Sequence, residues 1–389
     1  MSINTDEALK RFRTEYGVTP SVVTRAPGRV NIIGEHTDYN HGFVLPMAIE
    51  RETVIAARPR DDRRLRVYAV NMDRRASADL TNCTRNDEDP WLDYLVGVAY
   101  ELAKLRLPVR GADVVVLGDV PIGAGLSSSA SLEMAALMLF ECLGEFQMSG
   151  PEAARLGRRV ENEFLGVNSG IMDQFIARMG KSGCALFLDC RTCRYEHVPA
   201  AFAHAVFVIA DSSVRRGLAG SKYNERVREC EEAVQAMREC LGKTGSHLRD
   251  FDLDDLEAAK GRLSQAVYRR ARHVVTENDR TKAACEALRS GAADVLGALM
   301  TQSDDSLRCD YEVTCPELDA LTAIARSAPG CHGARMTGAG FGGCTVNLVA
   351  ADAVGDFSDA LSKAYRKQTG LDTNVVVSRP AAGASFQYV

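Results

Sequence analysis

Residues 121–131 read Pro-Ile-Gly-Ala-Gly-Leu-Ser-Ser-Ser-Ala-Ser, two glycines followed by three consecutive serines. Phosphate chemistry is the first thing this composition suggests. Gly123 and Gly125 allow a backbone to approach phosphate oxygens closely. The hydroxyls of Ser127, Ser128 and Ser129 can donate to phosphate, and one of them can ligate Mg2+. A helix N-terminus behind the loop would add unpaired N–H groups and a favourable dipole. The lysine of a Walker A loop is absent, because Ala124 stands where it would follow Gly123. A glycine turn ending in a serine N-cap is the alternative reading of the same residues.

A second cluster runs Arg29-Val-Asn31-Ile-Ile-Gly-Glu35-His36-Thr37-Asp38-Tyr39. Its carboxylates can accept protons from sugar hydroxyls. His36 and Asp38 are possible metal ligands, but no third ligand follows at a recognised spacing. From the residues alone, polyol binding and a simple polar turn stand level. A third cluster, Gly338-Ala-Gly340-Phe-Gly-Gly343, satisfies G-x-G-x-x-G. The following Cys-Thr-Val-Asn-Leu-Val-Ala reads as a strand rather than the helix a dinucleotide site needs, so that site is rejected. Cys190 and Cys193 form one CxxC without a second pair, read as a turn.

The elements that must position these clusters are legible in outline. A strand over 112–119 feeds the serine loop, and an Ala-, Leu- and Met-rich helix follows it. Ser149-Gly-Pro-Glu starts another helix. Further strands are expected at Cys184–Cys190 and from His204 onward, then a long charged helix and others to about residue 327. A helix near 354–370 and a closing strand in Thr373–Pro380 complete the chain. Strands and helices mix without a βαβ repeat, which gives an α+β class. The 389 residues exceed one ordinary core, and two domains, 1–199 and 200–389, are expected. Net charge is −5 with no basic block, which argues against a nucleic-acid or polybasic membrane surface. The polar N-terminus, the lack of an apolar span and twelve scattered cysteines point to a cytoplasmic protein with reduced thiols. No interface is visible, and a monomer is the default expectation.

Taken together and in order, the clusters resemble the galactokinases of the GHMP small-molecule kinase family. Gly28–Tyr39 resembles the galactokinase signature, the serine loop the family's nucleotide loop, and Met336–Cys344 its C-terminal glycine motif. Glu161–Gln174 resembles the segment with the catalytic aspartate, and Gly220–Arg226 a segment that reaches the sugar. The resemblance implies a two-domain fold with the site between the domains, and transfer of the γ-phosphoryl of ATP to the C1 hydroxyl of galactose. It implies Asp173 and Arg29 as catalytic residues. Glu35, His36, Thr37, Asp38, Gly170 and Tyr223 would bind the sugar. Trp91 and residues Gly123, Ala124, Gly125, Leu126, Ser127, Ser128 and Ser129 would bind ATP, with Mg2+ held by Ser129 and Glu161. Ser169 stands where many relatives carry cysteine, and Lys222 where an acidic residue is common. Other readings remain open here: a kinase for a related sugar, or a sugar and ATP sensor. Residue by residue, Asp173 could be a helix N-terminal carboxylate, Glu161 an exposed partner of Arg158, Tyr223 packing on its helix, and Trp91 a core residue.

Overall fold

The computed structural model describes residues 5–215 and 219–389. Residues 1–4 of the polar N-terminal stretch lie outside them. Strands are β1 (Val22–Asn31), β2 (Phe43–Val44), β3 (Pro46–Pro59), β4 (Arg64–Ala69), β5 (Arg74–Asp79), β6 (Ala112–Gly118), β7 (Cys184–Asp189), β8 (Arg194–Pro199), β9 (Ala205–Asp211), β10 (Cys331–Thr337), β11 (Cys344–Ala350), β12 (Val375–Ser378) and β13 (Ser385–Tyr388). Helices are α1 (Thr5–Tyr16), α2 (Asp93–Lys104), α3 (Ser128–Gly144), α4 (Gly150–Arg159), α5 (Met172–Met179), α6 (Ala219–Leu241), α7 (Leu253–Ala259), α8 (Gln265–Arg289), α9 (Ala293–Ser306), α10 (Pro316–Ser327) and α11 (Val354–Thr369).

Three sheets carry the strands, in the orders β13-β1-β3-β6-β4-β5, β10-β11-β9-β12 and β2-β7-β8. Pairing is antiparallel except between β4 and β6. Two elements depart from the sequence reading. The strand in 375–378 does not close the chain: β13 follows and pairs with β1, Val22 opposite Tyr388. Helix α1 was not anticipated, although Ala8 and Phe12 bury one i,i+4 stripe.

Helix α3 explains how the serine loop is held. Its Ala-, Leu- and Met-rich run is buried on nearly every side, packed with α2 against β1, β3, β4 and β6. The buried Ser131 hydroxyl donates to Ala26 O of β1 at 2.7 Å and lies 2.8 Å from Thr53 Oγ1 of β3. Helix α4 begins where the sequence signals it, with a reciprocal capping box between Ser149 and Glu152. It runs into a π-helical turn, Val160–Leu165.

A second core joins the three clusters. Val30, Ile32 and Ile33 pack with Val120, Ala124 and Leu126 and with Phe207, Cys344 and Val346 of the four-stranded sheet. Each large apolar side chain buried there contributes about 1.5–3 kcal/mol. The polar residues of the clusters are therefore displayed from one shared apolar floor. None of the twelve cysteines is in a disulfide, and Cys193 sits at the β7–β8 turn. Among the described residues, no helix is long and apolar enough to cross a membrane.

Candidate active site

Arg29 lies at the end of β1 and Asp173 in the first turn of α5, 144 positions apart in sequence. Arg29 Nε donates to Asp173 Oδ1 and Nη2 to Oδ2, each at 2.7 Å. This two-pronged pair fixes both planes against each other. Arg29 Nη1 donates to Gly125 O of the serine loop, and Ser127 Oγ donates to Asp173 Oδ2. Burial works against the Arg29 charge, but Asp173, Glu35 and Asp38 more than offset it and raise its pKa. The guanidinium stays charged at any working pH.

Ser127 is the residue where the plain-turn reading fails. It holds left-handed backbone, φ 61°, and makes no capping bond to the helix it precedes. Its hydroxyl is used by Asp173 instead. His36 and Phe341, one in each other cluster, are also left-handed, at φ 62° and 59°. Such conformations cost energy and persist where surrounding structure fixes them.

Arg29, Glu35, His36, Asp38, Glu161, Gly170, Asp173 and Tyr223 line one cavity of about 400 Å3. Glu35 is buried and accepts from Asn31 Nδ2 at 3.0 Å and from Gly338 N at 2.6 Å. Burial raises its pKa, opposed chiefly by Arg335 and Arg29. Asp38 is pushed up to about 6 by burial and by the nearby charges of Asp173 and Glu35. Gly170 makes room for it: a Cβ there would lie 1.5 Å from Asp38 Oδ2. The His36 ring stands against Tyr223, Tyr39 and Tyr311, and its Nδ1 lies 2.9 Å from Tyr39 Oη.

A second cavity of about 590 Å3 shares Tyr94 and Ser129 with the first. Trp91, Pro121, Ile122, Ser128 and Leu132 line it. Trp91 Nε1 donates to Asp89 Oδ1 at 2.9 Å. At the junction Ser129 Oγ and Glu161 Oε1 are 3.2 Å apart.

Three family models match this chain: the galactokinase galactose-binding signature over residues 10–59, the GHMP kinases N terminal domain over 93–181, and the GHMP kinases C terminal over 284–367. A galactokinase of Chloroflexus aggregans is 47% identical over 377 residues, covering 97% of this chain and 96% of that protein. The chain belongs to the galactokinase family. A galactokinase of Roseiflexus is 44% identical, with 98% and 97% covered. The crystal structure of Lactococcus lactis galactokinase complexed with galactose superposes with a TM-score of 0.94 at 36% identity, covering 98% and 99%. Methanococcus jannaschii mevalonate kinase shares the fold, with a TM-score of 0.66 at 18% identity, covering 93% and 98%.

The galactokinase fold does not bring every expected side chain to the cavities. Thr37 is fully buried and its hydroxyl bonds within its own loop, with Gly34 O at 2.9 Å and Phe43 O at 2.6 Å. Ala124 and Leu126 point into the shared apolar core, so only their backbone faces the loop's exterior. Gly123 and Gly125 hold φ of 72° and 77°, a conformation glycine adopts without strain. Glu161 is not an exposed partner of Arg158. It is buried in the π-helical turn, while Arg158 Nε donates to Ser169 O at 3.3 Å. Ser169 itself is held by Asn162, and exposed Lys222 places its ammonium 5.2 Å from the Phe341 ring.

Three residues of the site were not singled out from sequence. Tyr94 follows Trp91 at helical spacing, which was a usable signal. Glu133 follows Ser129 by four on the same helix face. It is fully buried, and its Oε1 has no hydrogen-bond partner among the described residues. Arg335, on β10 ahead of Gly338, is also fully buried.

Among the described residues no three His, Cys, Asp or Glu groups form a cage for a metal. Magnesium does not need one, since it is commonly held by one or two carboxylates with waters and substrate phosphates. The donor set at the junction fits that pattern. Burial raises the Glu161 pKa, and the buried Glu133 carboxyl adds a further acid beside it, so a cation here would relieve both.

Proposed function

We infer that the protein transfers the γ-phosphoryl group of ATP to the C1 hydroxyl of galactose. The observation that carries the assignment of roles is the Arg29–Asp173 pair on the wall of the smaller cavity, beside the Ser129–Glu161 junction to the larger one. In this reading the smaller cavity holds the sugar and the larger one the nucleotide. Trp91 packs against the base, as its place on the wall of the larger cavity supports.

A carboxylate has about four acceptor positions. Two Arg29 donors and Ser127 occupy three of those on Asp173. The remaining one, on Oδ1, is free to orient the C1 hydroxyl and take its proton. The sugar O–P bond then forms as the bond from the γ-phosphorus to the bridging oxygen breaks, and ADP leaves. A loose transition state asks little base strength of Asp173 and much of positioned positive charge. Arg29 provides that charge from the protein side. The backbone amides at the start of α3 and the hydroxyls of Ser128 and Ser129 receive the phosphates. Ser129 and Glu161 would hold Mg2+, which supplies charge neutralisation to the phosphates when bound. Glu35, His36, Asp38 and Tyr223 contact the sugar hydroxyls and ring, with Gly170 leaving space for Asp38. Thr37 acts by holding the loop. The junction of the two domains near residue 199 belongs to the same proposal, supported by the passage there from β8 to the sheet of β9.

Phosphorus NMR of the protein with galactose, ATP and Mg2+ tests this. A sugar 1-phosphate resonance is expected to grow as ATP is consumed, and Asp173→Asn to slow it at least a hundredfold, about 2.7 kcal/mol of barrier. Wild-type rates in Asp173→Asn would remove that residue from its role.

A further inference from the structure

The cavity assigned to the sugar contains more carboxylates than exposed cations. Glu35, Asp38, Glu161 and Asp173 all line it, and Arg29 makes its two-pronged pair with Asp173 rather than with Glu35. Behind its wall lies Arg335, the largest fully buried side chain among the described residues. Its Nη1 donates to Asn31 O at 2.9 Å and lies 3.6 Å from Glu35 Oε1. Its Nη2 lies 4.0 Å from Glu277 Oε1, and neither Nη2 nor Nε has a hydrogen-bond partner among the described residues. A buried guanidinium satisfied this poorly is not optimised for stability, since apolar side chains of similar volume often serve a core better. What it provides is charge.

We propose that Arg335 is a positioning residue for sugar binding: it keeps the Glu35 carboxylate ionised and aimed at the cavity. The inference rests on the sugar-binding role given to Glu35 above. Two routes carry the effect. The first is direct, through the ion pair at 3.6 Å. The second runs through Asn31, whose carbonyl Arg335 holds and whose Nδ2 donates to Glu35 Oε2 at 3.0 Å.

Every element packed around Glu35 points to the same dependence. From β1 come Arg29, already paired, and Asn31. From β10 and its turn come Thr337 Oγ1 at 3.4 Å and Gly338 N at 2.6 Å. From α8, His273 Nε2 lies 3.1 Å from Glu35 O, and burial lowers its pKa to about 4, so it is neutral near pH 7. Glu277 on α8 has its own cation in Arg280, at 2.7 Å, and does not need Arg335 to stay charged. Asp38 and Asp173 repel a charge on Glu35. Burial already outweighs the opposing cations, and removing Arg335, the larger of them, raises the Glu35 pKa further and favours the protonated carboxyl. It would then present a hydroxyl donor where the sugar offers one too.

Galactose binding measured by calorimetry at pH 7 and pH 9 tests the proposal. The wild-type chain is expected to bind equally at both. Arg335→Met is expected to bind at least tenfold more weakly at pH 7 and to recover most of that loss at pH 9. Arg335→Gln, which can still donate to Asn31 O, should show the same pH signature if the methionine variant does not fold. Arg335→Lys should restore pH-independent binding. Glu35→Gln and the Glu35→Gln/Arg335→Met double variant should bind weakly and equally at both pH values. Overturning results are wild-type affinity in folded Arg335→Met or Arg335→Gln, a loss identical at pH 7 and 9, or a lysine variant that keeps the pH-dependent loss. Absence of galactose binding by the wild-type chain would instead overturn the functional reading, and this inference with it.

Discussion

Asp38 is the residue whose environment most directly predicts a pH effect. Held near 6 by burial and its acidic neighbours, it is ionised at pH 7 and can accept hydroxyl protons with both oxygens. Galactose affinity should therefore fall as pH drops from 7 to 5, and Asp38→Asn should bind weakly with that dependence gone. The effect on stability has the opposite sign. A carboxyl whose folded pKa lies above its unfolded value binds protons more tightly in the native state, so this residue disfavours folding above about pH 6, and that penalty fades as pH falls from about 6 to about 4. A loss of affinity paired with acid destabilisation traced to Asp38 would contradict the assignment. Gly170→Ala probes the same contact from the other side. The three atoms nearest the added Cβ all belong to the Asp38 carboxylate, so the chain should fold normally while KM for the sugar rises about tenfold and KM for ATP does not.

At the scale of elements, the glycine turn after β10 joins the two halves of the site. Gly338 N holds Glu35 at one end, and at the other Gly343 N donates to Val214 O at 3.0 Å. A Cβ on Gly343 would lie 2.8 Å from Ala124 O of the serine loop, at a φ of 91° that other residues avoid. Neither neighbour can yield without moving backbone. Gly343→Ala is expected to raise KM for ATP at least tenfold and to leave galactose affinity within about twofold, read by calorimetry on the folded variant. Equal losses for both ligands would mean that the turn supports the whole site rather than the nucleotide side. This turn also shows what sequence can and cannot convey. Its glycines and the strand after it were legible because their signal is local, and so were the serine loop and the start of α4 at Ser149. The Arg335 connection was not, because its partner Asn31 lies 304 positions away. Strand β13 was missed for a different reason: it is four residues long and all four are exposed, so its Ser-Phe-Gln-Tyr alternation is too short to mark a buried face.

At the scale of the whole molecule, the sequence motifs foretold which chemistry meets in one place better than they foretold each side chain's part. Thr37, Ala124 and Leu126 sit in motifs yet face inward, because a loop that displays polar groups must also be rooted. The shared apolar core beneath the three clusters does that rooting, and its Ile32, Ile33 and Leu126 are the reason polar and apolar residues alternate so closely there. Binding at the site should register in global stability. Galactose at a hundred times its dissociation constant is expected to add about 2.7 kcal/mol to unfolding.

The most direct test of the central claim is the rate of ADP release with Mg2+ and ATP across galactose, N-acetylgalactosamine, glucose, mannose and arabinose, compared as kcat/KM. Turnover with galactose is expected well above that with the other four sugars. Turnover confined to another sugar would contradict the assigned substrate, and galactose binding without ADP release would contradict phosphoryl transfer itself and leave a sensor in its place.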